Sequence, residues 1–72
     1  MTYGQFLALT HSTFPDDDDI RWGQHWFNTL YRVRPDIANQ IRGTRFDPFY
    51  RDTVSSETSA LCSQLWDAKS DR

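Results

Sequence analysis

From residue 20 to residue 33 the apolar side chains recur at helical intervals. At about 100° per residue, Ile20, Trp22, Gly23, Trp26, Phe27, Leu30, Tyr31 and Val33 sweep one broad side, while Arg21, His25, Asn28 and Arg32 form a narrow polar stripe opposite. A face that wide cannot be covered by one neighbour. It predicts a central amphipathic helix over about 19–33, starting near residue 18, with elements packed on two sides of it. Gly23 falls near the middle of the apolar face, where its poor helix propensity is explained by close approach of another backbone. A large residue there, such as Leu, is expected to destabilise by overpacking although it favours the helix.

The rest of the chain supplies the neighbours. Thr2 and Gln5 have capping-box spacing, and Tyr3, Phe6, Leu7 and Thr10 then share one face, so a first helix is expected over about 2–12. Pro15 disfavours helical geometry at Phe14 and ends that helix; Phe14 is expected to plug the core. Arg34-Pro35-Asp36 is a corner, because Pro35 suits the first turn of a new helix. Ile37, Ala38 and Ile41 give a third helix, over about 35–42, its apolar side, with Gly43 as a left-handed terminator. Asp47-Pro48 is a turn former in a loop carrying Phe46, Phe49 and Tyr50. Those rings either cover the open side of the core or form an exposed recognition tip. Ser55 or Ser56 caps a fourth helix over about 55–68, with Val54, Leu61, Cys62, Leu65 and Ala68 on one side and Trp66 at its margin; residues 69–72 are expected to fray.

The sum is an all-α, compact single-domain bundle of three to four short helices spanning residues 1–72, with Trp26, Phe27, Leu30, Ile41, Phe6 and Leu61 at its centre. A chain of 72 residues buries only about 60% of its unfolded surface. Three Trp, three Tyr and five Phe make that burial efficient. One Cys excludes an internal disulfide, no apolar run nears the ~20 residues of a membrane span, and the N-terminus lacks a secretion signal. A soluble protein of the cytoplasm is expected. The net charge of −2 hides a dipole: residues 1–19 carry four Asp and no base, residues 20–51 carry six Arg against Asp36 and Asp47, and residues 52–72 are acidic again. A basic middle between acidic arms favours a charged partner, or contact of the arms with the middle, over bulk nucleic-acid affinity.

Arg21-Trp22-Gly23-Gln24, Phe27-Asn28-Thr29-Leu30-Tyr31, Arg34-Pro35-Asp36-Ile37-Ala38, Ile41-Arg42-Gly43-Thr44 and Asp47-Pro48-Phe49-Tyr50 form a pattern of about 30 residues. It resembles small, mostly uncharacterised proteins encoded by bacteriophages and prophages. The resemblance leaves both ends unmatched and transfers no functional residue. It implies a phage setting, the host cytoplasm, and by analogy a protein that binds a host macromolecule and blocks or redirects it, anti-CRISPR inhibitors of bacterial immunity included.

Among candidate sites the stripe Arg21, His25, Asn28 and Arg32 stands first. Helical rise sets these four in a row about 16 Å long, and Arg suits two-pronged binding of carboxylate or phosphate. The plain alternative is a solvated helix face. The run Asp16-Asp17-Asp18-Asp19 is read as a cap answering the positive end of the second helix, with its surplus charge, Asp16, Asp17 and Asp18 in particular, as a partner-binding patch. Its spacing is not that of a calcium loop. His11 and His25 lack metal-site spacing, Cys62 sits among apolar neighbours, and no glycine-rich phosphate loop occurs, so neither an enzyme nor a metal or cofactor site is expected. Three functions stay open: a binding module acting on a host protein or protein–nucleic-acid complex, a nucleic-acid-associated protein using the basic helix face, and a homo-oligomeric virion or assembly component. The oligomeric state is left open. The central helix and Pro35 corner lack the turn and the long second helix of a helix-turn-helix, which ranks the nucleic-acid function below the first.

Overall fold

Phe6 stacks on Trp66 at 5.3 Å between ring centroids and meets Trp26 edge-on at 5.3 Å, so one ring from the first helix lies between indoles of the second and the last. A computed structural model describes residues 1–16 and 19–70, with residues 69 and 70 described by their backbone. Four helices follow in order: α1 Tyr3–Ser12, α2 Trp22–Val33, α3 Pro35–Ile41 and α4 Ser56–Ser70. The chain is an all-α domain with no strand among the described residues. Helix α2 packs against α1 and α3, and α4 closes over α1 and α3 from the other side.

Helix α1 begins as its sequence predicts. Thr2 Oγ1 accepts the Gln5 N–H at 3.1 Å and Gln5 Oε1 accepts the Thr2 N–H at 2.8 Å, a complete capping box. Phe6 and Thr10 are buried, and the Thr10 hydroxyl is satisfied by the Phe6 carbonyl at 2.7 Å. One residue, Arg34, ends α2 and starts α3, with Pro35 in the first position of the new helix. The Arg34 guanidinium grips Asp36 through two 3.0 Å hydrogen bonds and lies 5.0 Å over the Trp66 ring. Gly43 terminates α3 at a φ of 75°, a left-handed geometry that suits Gly.

Gly23 answers its prediction closely. A Cβ on it would overlap the carbonyl oxygens of Pro48 and Arg51, and its N–H donates to the Arg51 carbonyl at 3.0 Å. The approaching backbone is therefore the 48–51 loop, laid across the first turn of α2.

Four expectations need correction. Helix α2 starts at Trp22, later than residue 18, with Ile20 in a bend and Arg21 at the N-cap; no acid lies in its first turn. The Arg51 carbonyl accepts the Gly23 N–H of that first turn. Phe14 is 41% exposed and is no core plug, since it stands edge-on against Trp22 at 5.1 Å on the flank of the domain. The buried row of α4 is Thr58, Cys62 and Trp66, spaced at four residues, while Leu61 and Leu65 are half-buried and Ala68 is exposed. That rotation follows from two polar anchors: Trp66 Nε1–H donates to the Met1 carbonyl at 2.7 Å, and the Thr58 hydroxyl donates to the Phe46 carbonyl at 2.8 Å. Lastly, α4 runs on to Ser70, past its expected end near residue 68; residues 71 and 72 lie outside the described residues. Ser55 is the capping residue, its hydroxyl accepting the Thr58 N–H at 3.1 Å.

Candidate functional site

The polar stripe of α2 divides into three environments. Arg21 stands ahead of the helix, donating to the Tyr50 carbonyl at 2.9 Å and lying 3.7 Å from Asp52. It thereby ties the helix start to the end of the aromatic loop. His25 is half-buried: its Nε2–H donates to the Thr10 carbonyl at 2.9 Å, and Phe14 lies 5.3 Å from its ring. A carbonyl can only accept, so the bonded nitrogen carries the proton. This corrects the expectation of a solvent-facing imidazole. The physical reason is the C-terminal turn of α1, whose carbonyls lack helical donors, and His25 supplies one. Arg21, Asn28 and Arg32 are exposed, and of these Arg21 is tied to Tyr50 and Asp52, which leaves Asn28 and Arg32 without such a tie.

The aspartate run separates likewise. Asp16 is exposed and lines a shallow cleft of about 380 Å³ with Phe14, Ile20, Arg21, Trp22 and Asp52. The acid and Arg21 thus share one depression. Asp17 and Asp18, the remaining sequence-based candidates, lie outside the described residues.

A second concavity lies where the aromatic loop crosses α2. It encloses about 410 Å³ between Phe27, Asn28 and Tyr31 of α2, Arg42 after α3, and Asp47, Phe49 and Tyr50 of the loop. Phe49 meets Phe27 edge-on at 6.0 Å to form the floor. Tyr31, 43% exposed, and Tyr50, 81% exposed, stand as walls. The Arg42 guanidinium lies 4.9 Å over the Tyr31 ring and 5.9 Å over Phe27. The rings of the loop divide between the core and the surface. Phe46 and Phe49 cover the core, while Tyr50 projects into solvent.

Local chemistry explains why the loop takes this shape. Asp47 Oδ1 accepts the Phe49 N–H at 3.0 Å, the local turn expected of Asp before Pro, and Oδ2 reaches back to the Gly43 N–H at 2.9 Å. The carboxylate therefore fastens the end of α3 to the loop. Pro48 is buried, and Arg51 N–H closes a turn onto the Pro48 carbonyl at 2.8 Å. The groove escaped the sequence-based list because its residues come from three segments. Its one local signal was the adjacent pair Phe49-Tyr50 in a tight turn, where consecutive rings cannot both enter the core.

Charge in the groove is one-sided in its availability. Among the described residues, Arg21 pairs with Asp52, Arg34 with Asp36 and Arg45 with Glu57, whereas Arg32 and Arg42 form no ion pair. Cys62 is buried, and desolvation pushes its thiol up to about 11, so it behaves as a small core residue. His11 is stacked on Trp22 at 4.7 Å. No cluster of three His, Cys, Asp or Glu side chains able to hold a metal occurs among the described residues, and none of their helices is long and apolar enough to cross a membrane. No protein-family model matches the chain, and neither a curated protein nor a solved structure matches it significantly.

Proposed function

We propose that this is a non-enzymatic binding protein of bacteriophage type that engages a host macromolecule, a protein in the first place, and inhibits it by occupying its surface. Protein complexes of bacterial immunity, CRISPR effectors included, belong to the target class that its phage-like sequence pattern implies. The observation that carries the binding role is the groove between Tyr31, Arg42 and Tyr50. Tyr and Arg dominate the energetic centres of protein interfaces, since each couples a large contact area to a polar end. A Tyr that is 81% exposed beside a second exposed Tyr and an ordered guanidinium adds nothing comparable to folding. Asn28 and Arg32, both exposed, continue the same surface along α2, four residues apart and so neighbours on one helix face.

The test is an affinity pull-down from bacterial lysate with the wild-type chain and with Tyr31→Ala combined with Tyr50→Ala, each with and without nuclease. A stoichiometric protein retained by the wild type after nuclease treatment, and lost with the double variant, is the expected result. Retention that vanishes with nuclease or modest salt overturns it in favour of nucleic-acid binding through phosphate contacts. Equal retention by the folded double variant removes the groove from the function.

A further inference from the structure

We propose that the groove recognises an acidic peptide segment of its partner: an apolar, preferably aromatic, side chain entering between Tyr31 and Tyr50, with a neighbouring carboxylate on Arg42. The inference rests on the binding role given above and specifies its chemistry. Arg42 carries the polar half. Its guanidinium lies over the Tyr31 ring at 4.9 Å, a contact with the ring's π face that consumes no N–H···O hydrogen bond. It forms no ion pair among the described residues, so an incoming carboxylate displaces no internal partner. The acid on the groove wall, Asp47, has both oxygens engaged by backbone N–H groups, at 3.0 Å from Phe49 and 2.9 Å from Gly43. It forms no ion pair with Arg42, whose donors therefore stay available to a partner's carboxylate. Arg32, also without an ion pair, extends the positive rim beyond Asn28, whose amide can both donate to and accept from a peptide backbone.

The apolar half is set by the floor. Phe27 and Phe49 meet edge-on at 6.0 Å and the two Tyr rings flank them, an arrangement that takes another ring edge-to-face. At about 410 Å³ the space suits one large side chain and its neighbour, and falls short of a helix laid lengthwise. The charge distribution favours a peptide over a polynucleotide. The basic middle is bordered by an arm of four Asp and by an acidic C-terminal segment, in a chain whose net charge is −2. The affinity of a polynucleotide grows with the number of phosphates neutralised, which a chain of net charge −2 serves poorly, whereas a short acidic segment needs only the two arginines.

The experiment pans a displayed random heptapeptide library against the wild-type chain and against Arg42→Ala and Arg42→Lys. Arg42 is exposed, and circular dichroism establishes that each variant is folded. The expected result is enrichment of Phe, Tyr, Trp or Leu within two positions of Asp or Glu. The selected peptide should bind Arg42→Ala at least about tenfold more weakly, Arg42→Lys with intermediate affinity because the charge stays and the planar fork is lost, and lose affinity when its own acid is changed to the amide. Enrichment of basic or uncharged peptides, no enrichment, or equal selection on Arg42→Ala overturns the proposal. So does binding of an oligothymidylate probe that competes at the same groove. If panning fails while a lysate protein is still retained by the wild type and released by the Tyr31 and Tyr50 substitutions, the peptide chemistry falls alone. If no protein is retained either, the binding role falls with it.

Discussion

Replacing Gly23 by Ala pits two effects of opposite sign against each other. In an exposed helix position the change stabilises by about 1 kcal/mol, because Gly is the poorer helix former. At Gly23 the new methyl would sit inside contact distance of the Pro48 and Arg51 carbonyl oxygens, both backbone atoms without a flexible side chain to swing aside. Relief requires the 48–51 loop to lift from α2. That lengthens the hydrogen bond from Gly23 N–H to the Arg51 carbonyl, now 3.0 Å, and a buried donor left without a partner costs about 1–3 kcal/mol. It also parts Phe49 from Phe27, an edge-on pair worth about 0.5–1.5 kcal/mol. Together these exceed the propensity gain, and the net expectation is a loss of about 0.5–3.5 kcal/mol. A domain of 72 residues has a total stability of about 4–11 kcal/mol, so the loss is a large share of it. Thermal melts followed by circular dichroism should show a fall in Tm of about 8–16 °C at the middle of that range. Gly4→Ala is the internal control: its Cβ would meet only Thr2 Oγ1 at an ordinary 3.8 Å, so that variant should melt at or above the wild type. A Gly23→Ala variant as stable as Gly4→Ala would refute the loop-on-helix packing.

Thr58→Val keeps the shape of the side chain but removes the hydroxyl that links Ser55 to the Phe46 carbonyl, and should lower stability by about 1–2 kcal/mol in a urea titration; an unchanged midpoint contradicts the anchoring role given to Thr58. The hydrogen bonds from Arg34 hold the Asp36 carboxyl below its ordinary range, so folding favours its charged form. The resulting stabilisation is present above the unfolded carboxylate pKa and is lost as pH falls through the folded value. Asp36→Asn should therefore be less stable than wild type at pH 7, by no more than about 1 kcal/mol for so exposed a pair, with the difference closing in acid. A difference that grows in acid reverses the assignment. Burial, with its thiol raised to about 11, should make Cys62 inert to a thiol reagent at pH 8 until the chain unfolds, and rapid labelling of the native protein would show that α4 opens locally.

The elements of this fold were legible where a signal is local. The Thr2 and Gln5 box, the Pro35 corner and Gly43 each depend on residues within a few positions, and each occurs as its chemistry requires. Gly23 was legible as a site of close approach, but the identity of the approaching backbone was not, since the Pro48 and Arg51 carbonyls arrive from more than twenty residues away. Trp66 and His25 show the converse limit. A helical wheel ranks Trp66 as marginal and His25 as solvent-facing, because it sees apolarity and not the carbonyls of Met1 and Thr10 that those ring nitrogens reach. The candidate groove depends on such distant juxtapositions for every wall. Of the described residues proposed from sequence as partner-binding, Asn28 alone lines it.

The loop that presents Tyr50 is fastened at four backbone points: Gly43 and Phe49 N–H to Asp47, Gly23 N–H to the Arg51 carbonyl, and the Tyr50 carbonyl to Arg21. Its conformational entropy is thus surrendered at folding and not at association. Tyr50 keeps only two side-chain torsions to settle, which is a small cost for a contact of that size. A partner meets a preformed shape and has to match it; it cannot mould it. Variants that loosen those four fastenings should therefore weaken binding without touching the partner, because ordering that the fold now completes in advance would be charged to each encounter.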